Sequence, residues 1–204
     1  RRAAQDTMSV LCLTVGSHFS SSFDSAMVAA REAEEVLPDL RVSILDTQSA
    51  AGGEGLVALE AWRASNKAQE LKEVVATAHN VIARVKLLAF VDTLYYLWKG
   101  GRVPRIAYEG ASILRVKPIF ELSQGRVSTV ARPRTHKRAG ERLIALMHQS
   151  IGSESIHATV MHANAFDAAE ELRCIVESEF DCREMFISEF SAVMGAHIGP
   201  GLLG

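Results

Sequence analysis

Only three cysteines occur among the 204 residues, Cys12, Cys174 and Cys182. An odd count without framework spacing excludes a disulfide-stapled scaffold and points to a reducing, cytoplasmic setting. No apolar run approaches the roughly 18 residues that cross a bilayer, so stable membrane insertion is not expected. A dominant charge is also missing. Lys and Arg number 22 against 24 Asp and Glu, a net charge of −2, which gives no general drive toward nucleic acid or an anionic surface. Aromatic residues make up 6% of the chain. The basic run RPRTHKRAGER at 132–142 has none interleaved, which argues against stacking on bases. There is no G-x-S-x-G elbow, and no acidic residue is placed to orient a histidine for a nucleophilic serine.

What is present is an ordinary globular balance, 48% hydrophobic and 23% charged. The start, RRAAQDTMSVLCLTVGS, has the charges and apolar stretch of a weak leader. Its apolar part is short and alternating, and it predicts a strand. A helix follows over SSSFDSAMVAAREAEEVL, with Phe23, Met27, Ala30 and Ala33 or Val36 as its apolar stripe and Ser20, Ser21 or Ser22 as its cap. Then come a strand (LRVSILD), two helices (49–65 and 67–85) and a strand (KLLAFV). Alternation of strands and helices predicts βαβ units and a parallel sheet. After residue 86 the rhythm changes. DTLYYLWKGGR is a short helix closed by Gly100 and Gly101, and RIAYEGASIL is another. VKPIFEL and RVSTVAR flank SQG as a hairpin. A helix with Pro133 in its first turn, a strand (SIHATVMHA), a helix (165–180) and a strand (CREMFISEF) complete the chain. The prediction is an α/β fold of two domains: a parallel-sheet α/β domain over 1–86 and an α+β domain with a mostly antiparallel sheet over 87–204.

Several stretches carry candidate chemistry. GEGLVA at 53–58 matches G-x-G-x-x-G/A after a strand and before a helix, the setting of a dinucleotide site. It has no acidic residue on a following strand, and the plainer reading is a glycine turn that brings helix and sheet together. His157 and His162 invite a metal, but their odd separation puts them on opposite faces of a strand, with no further ligand cluster. The basic run serves equally as a solvated face or an anion-recognition surface. The serines at 20–22 stand at a helix start, where bare amides favour an anion, and at the carboxyl end of a strand, where α/β folds bind ligands. MGAHIGPGLLG places His197 beside Gly199, Pro200 and Gly201, a tight turn that lets bare backbone approach something closely.

These stretches, taken in order, resemble the DegV family. FSSSFDSAM resembles its L-S-G-T-x-x-S-A motif, with Ser21 and Ser22 in the glycine and threonine positions. Gly16 stands where the family often has serine. LDTQSAAGGEG resembles the strand and turn that follow, and VDTLYYLWKGGRVPRIAYEGASILRVKPIFELSQGRV its most recognisable stretch. ARPRTHKRA is similar to K-x-R-T-x-x-K-A, and AHIGPG to the terminal H-x-G-P-G. The family's N-terminal unit has no counterpart here, which suggests a truncated chain or a fragment.

The resemblance implies a two-domain protein that holds a long-chain fatty acid (palmitate-, stearate- or oleate-like) in a buried tunnel between the domains. It further implies a non-enzymatic, bacterial, cytoplasmic carrier subunit, without cofactor or metal, that presents the carboxylate to a separate fatty acid kinase for phospholipid synthesis. Carried over by position, Ser20, Ser21, Ser22, His197 and Gly199 belong to the carboxylate site, and Arg102 and Arg134 to partner docking. The alternatives are an acyl hydrolase or transferase using Ser20 and His197, and a nucleotide-binding module using GGEGLVA.

Overall fold

The computed structural model describes residues 8–67, 70–103, 105, 109 and 116–204. The helix expected over 105–114 lies almost wholly outside them. The chain divides into two compact units, one of Arg1–Lys86 with Ser123–Arg126, the other of Leu87–Leu122 with Val127–Gly204.

In the first unit, β1 (Ser9–Thr14) leads through α1 (Ser22–Val36) to β2 (Arg41–Asp46), followed by α2 (Ala51–Asn66) and α3 (Leu71–Ile82). β1 and β2 pair in parallel, Ser9 opposite Arg41 and Thr14 opposite Asp46. A parallel pair needs a crossover, and α1 supplies it. The core is built at helical spacing: Val57, Ala61 and Ala64 from α2 meet Val74, Ala78 and Ile82 from α3, with Leu45 from β2. Three alanines among these let the two helices approach closely. The expected α1 stripe is only half-buried. No residue of α1 is fully buried, and Val36 is 61% exposed.

The second unit is threaded by β3 (Lys86–Phe90), α4 (Tyr95–Lys99), β4 (Ile119–Ser123), β5 (Arg126–Ala131), α5 (His136–Ile151), β6 (Ile156–His162), α6 (Phe166–Glu179), β7 (Cys182–Glu189) and α7 (Ala192–Ile198). β3, β4 and β5 lie side by side in that order. Gln124 (φ 49°) and Gly125 (φ 72°) make the hairpin turn, both in the left-handed region that a two-residue type I′ turn requires. β6 and β7 pair in parallel. Leu203 bridges Phe90 on one side and His162 on the other, antiparallel to both. Phe90 and Leu203 exchange N–H···O bonds of 2.9 and 3.2 Å, and Met161 and Gly204 do the same at 2.7 and 3.0 Å. Leu203 also joins Phe90, Ile119, Leu143, Val160, Leu172 and Val176 in the main core.

One sequence expectation shifts. Pro133 lies outside α5, whose N-cap is Thr135, its hydroxyl accepting the Arg138 N–H at 3.2 Å. The Pro133 carbonyl instead accepts from the Lys117 N–H at 2.7 Å. The GPG turn is entered from α7, capped by Ser191, whose hydroxyl accepts the Met194 N–H at 3.4 Å.

Candidate functional site

In the first unit, hydrogen bonds join the carboxyl ends of β1 and β2. Thr47, 1% exposed, donates its hydroxyl to the Thr14 carbonyl at 2.7 Å. The Asp46 carboxylate accepts the Gln48 N–H at 2.8 Å and the Ser17 N–H at 3.3 Å. The Gly16 N–H donates to the Ser49 carbonyl at 2.7 Å, and a Cβ at Gly16 would crowd that carbonyl. This fixes the 16–19 turn that delivers the three serines.

Ser20 is half-buried, while Ser21 and Ser22 are exposed. Ser20 Oγ accepts the Ser22 N–H at 3.1 Å and lies 2.7 Å from Ser22 Oγ. One hydroxyl of the pair donates to the other, which leaves one O–H free to donate outward. Ser21 is the α1 N-cap residue, but its side chain caps nothing. Of the first-turn amides, the Ser22 N–H is taken by Ser20 Oγ, while those of Phe23 and Asp24 receive no bond from the Ser21 side chain. Among the described residues, the hydrogen bonds of Ser20 Oγ are both to Ser22.

GEGLVA lies in the first two turns of α2. A Cβ on Gly53 would fall 2.2 Å from Ser49 Oγ and 3.0 Å from Val85 Cγ1. Gly53, inside α2 rather than in a turn, is therefore a packing glycine whose side-chain space is filled by Ser49 and Val85. Ser49 Oγ is buried without a hydrogen-bond partner. Glu54, half-buried in the same turn, has its carboxyl pKa pushed up by burial.

In the second unit, stretches far apart in sequence converge on one turn. Gly199 (φ 80°, ψ 171°) is buried, and a Cβ there would land 2.1 Å from Tyr96 Cδ2. Gly201 (φ 84°) meets Asp92, with Oδ2 2.6 Å from the site of a Cβ. A Cβ on Gly100 would sit 3.0 Å from Nδ1 of the half-buried His197. Asp92 Oδ1 accepts from Lys117 Nζ at 2.7 Å and lies 2.6 Å from His136 Nε2. DTLYYLWKGG, VKPI, RTHKR and HIGPG thus form one structure, with bare backbone where the tyrosine ring, the carboxylate and the imidazole approach.

Ile198, beside His197, joins Leu97, Val103, Phe120 and Phe190 as half-buried apolar side chains over Ala89, Val91, Leu94, Ala163 and Leu202. Arg102 is exposed and folds back, Nη1 donating to the Gly100 carbonyl at 2.5 Å. Arg134 is exposed just before α5. The sequence reading singled out none of Asp92, Tyr96, Lys117 and His136 individually, although each lies inside a stretch it quoted.

His157 and His162 do part company. His157 is exposed, its Nδ1 2.7 Å from Glu184, while His162 is 3% exposed. Among the described residues no helix is long and apolar enough to cross a membrane.

A model of the DegV family, described as uncharacterised proteins, matches residues 1–204. A DegV domain-containing protein of Streptomyces coelicolor is 33% identical over 196 residues, covering 96% of this chain and 68% of its own. Among solved structures, a Thermus thermophilus DegV family protein described by its fatty acid binding aligns with a TM-score of 0.88 at 30% identity. That alignment covers 100% of this chain and 72% of that one. A Thermotoga maritima protein, described as revealing a fatty acid binding function, aligns at 0.86 and 25% identity, covering 100% and 70%.

Proposed function

This chain belongs to the DegV family, and we propose on that premise that it binds a long-chain fatty acid without transforming it. The observation that carries the reading is the match of this whole chain to 72% of the Thermus fatty-acid-binding structure at 30% identity. The local chemistry supports it. A carboxylate removed from water needs donors. The first unit offers a serine hydroxyl pair at a helix start whose N-cap residue, Ser21, makes no side-chain capping bond, and the second offers His197 beside the bare backbone of Gly199. Ser20, Ser21, Ser22, His197 and Gly199 are our candidates for the head group. The half-buried apolar set next to His197 suits a hydrocarbon tail. Each methylene buried contributes about 0.8 kcal/mol, so a C16 chain supplies on the order of 10 kcal/mol before ordering costs. Burial of that size gives tight binding with no bond made or broken.

The finer reading is a bacterial, cytoplasmic carrier that requires no cofactor and hands its ligand to a separate fatty acid kinase, with the acyl phosphate going on to phospholipid synthesis. Exposed Arg102 and Arg134 are the proposed docking cations. Denaturing solvent extraction of the purified protein, followed by mass spectrometry, tests the core of the proposal. A long-chain fatty acid near one per chain is expected. An empty extract, from protein that also fails to take up added fatty acid, refutes it. The kinase step is tested separately, by comparing transfer from the parent and from Arg102→Ala and Arg134→Ala.

A further inference from the structure

An open groove of about 760 Å³ lies in the second unit, lined by His162, Asn164, Phe166, Asp167, Ile187 and Glu189 among others. It sits where β6 and β7 end and α6 begins. Three features make it more than a helix start. First, His162 is 97% buried by its 3% exposure, yet only one of its ring nitrogens is bound: Nδ1 accepts the Ala165 N–H at 3.3 Å. That acceptor role puts the ring proton on Nε2. Nε2 has no partner among the described residues and is not shut off from solvent, since the one such buried, unpartnered side-chain atom is Ser49 Oγ. His162 itself lines the groove.

Second, α6 starts uncapped. Its N-cap is Ala165, with no side-chain cap, after Asn164 held at φ 50°. The first-turn amides of a 14-residue helix and the imidazole N–H thus present donors to the same groove. Third, the lining also carries two exposed carboxylates, Asp167 and Glu189, and the ring of Phe166, 57% exposed.

The ligand has to answer all three. A phosphate dianion would suit the amides and the imidazole but be repelled by the carboxylates. A metal ion would suit the carboxylates, but His162 offers it a proton where a lone pair is needed. A zwitterion meets both demands, with its carboxylate on the donors and its ammonium on Asp167 and Glu189. Phe166 and Ile187 provide apolar surface for a side chain. We propose that this groove binds a zwitterionic ligand of the α-amino-acid class, with an apolar side chain, independently of any fatty acid.

The test is calorimetric titration of the intact chain with L-phenylalanine and L-leucine. N-acetyl-L-phenylalanine lacks the cation, phenethylamine lacks the carboxylate, and inorganic phosphate serves as the anion control. Saturable binding near one per chain is expected for the amino acids, at least about tenfold tighter than for either half-ligand. Asp167→Asn with Glu189→Gln changes two exposed side chains and should leave the circular dichroism spectrum unchanged while weakening amino-acid binding at least about tenfold. No saturable heat from either amino acid at millimolar concentration overturns the proposal. So does phosphate binding in their place, or amino-acid binding indifferent to the two substitutions.

Discussion

Gly199→Ala tests whether the turn after His197 is built around absent side chains. Two separable costs are expected. At φ 80° and ψ 171° the backbone is in a region almost reserved for glycine, and a side chain there costs of order 1–3 kcal/mol. The new methyl would also fall 2.1, 2.4 and 2.8 Å from three carbons of the Tyr96 ring, and overpacking of that kind adds typically about 1–3 kcal/mol. At roughly 2–4 °C per kcal/mol for a chain of this size, Tm should fall by roughly 5–20 °C. Two controls divide the loss. Gly101 has a similar φ, 75°, with nothing within 4 Å of a Cβ, so Gly101→Ala should show only the backbone cost of about 1–2 kcal/mol. In a Tyr96→Ala background the ring is gone, and Gly199→Ala should then cost only its backbone share. The assay is urea and thermal unfolding of all five proteins by circular dichroism, analysed as a double-mutant cycle. Equal cost of Gly199→Ala with and without the ring would refute the reasoning, since the close approach would then do nothing.

Three further outcomes are expected. Ser20→Ala and His197→Ala should each weaken fatty-acid binding by roughly 10-fold or more, the worth of one hydrogen bond to a charged group, and unchanged affinity in equilibrium binding would remove both from the head-group site. Burial raises the Glu54 carboxyl above its usual range, so the folded chain holds that proton more tightly than the unfolded one. The associated stability is present at low pH and declines as pH rises from the ordinary carboxylate pKa through the folded one. Glu54→Gln removes that decline, so the Tm of the variant should gain on the parent as pH climbs from about 4 to 7, and a constant difference would contradict it. Desolvation, followed by Glu177 and Asp181, pushes the Cys182 thiol up, while Cys174 is exposed. Iodoacetamide at mildly alkaline pH should label Cys174 well before Cys182 by peptide mass spectrometry, and the reverse order would count against the assignment.

The sequence made local structure legible and left long-range meeting points hidden. The α2 and α3 stripes, the Gly100–Gly101 stop and the SQG hairpin follow from spacing and turn chemistry that operate over a few residues. The odd separation of His157 and His162 correctly sent one ring outward and one inward. The hub at Asp92 left no such mark. Its partners Lys117 and His136 stand far along the chain, and an aspartate before a helix reads as an ordinary cap. Leu202–Gly204 is too short to show alternation, so its place between β3 and β6 is set by tertiary pairing alone. The α1 stripe is helical, as its periodicity indicates, yet no residue of α1 is fully buried, because periodicity marks an apolar face without saying what covers it.

The bridging position of Leu203 has a consequence for how the second unit is made. Phe90 and Leu203 stand more than a hundred positions apart, yet they share a ladder. A nascent chain can form α5 and the β6–α6–β7 segment early, since their contacts are local. The ladder from β3 to β6 must wait until Leu203 has cleared the ribosome. Until then Phe90 and His162 present unpaired edges, open to pairing with other chains. High contact order of this kind slows folding, and the waiting interval is where co-translational aggregation would enter.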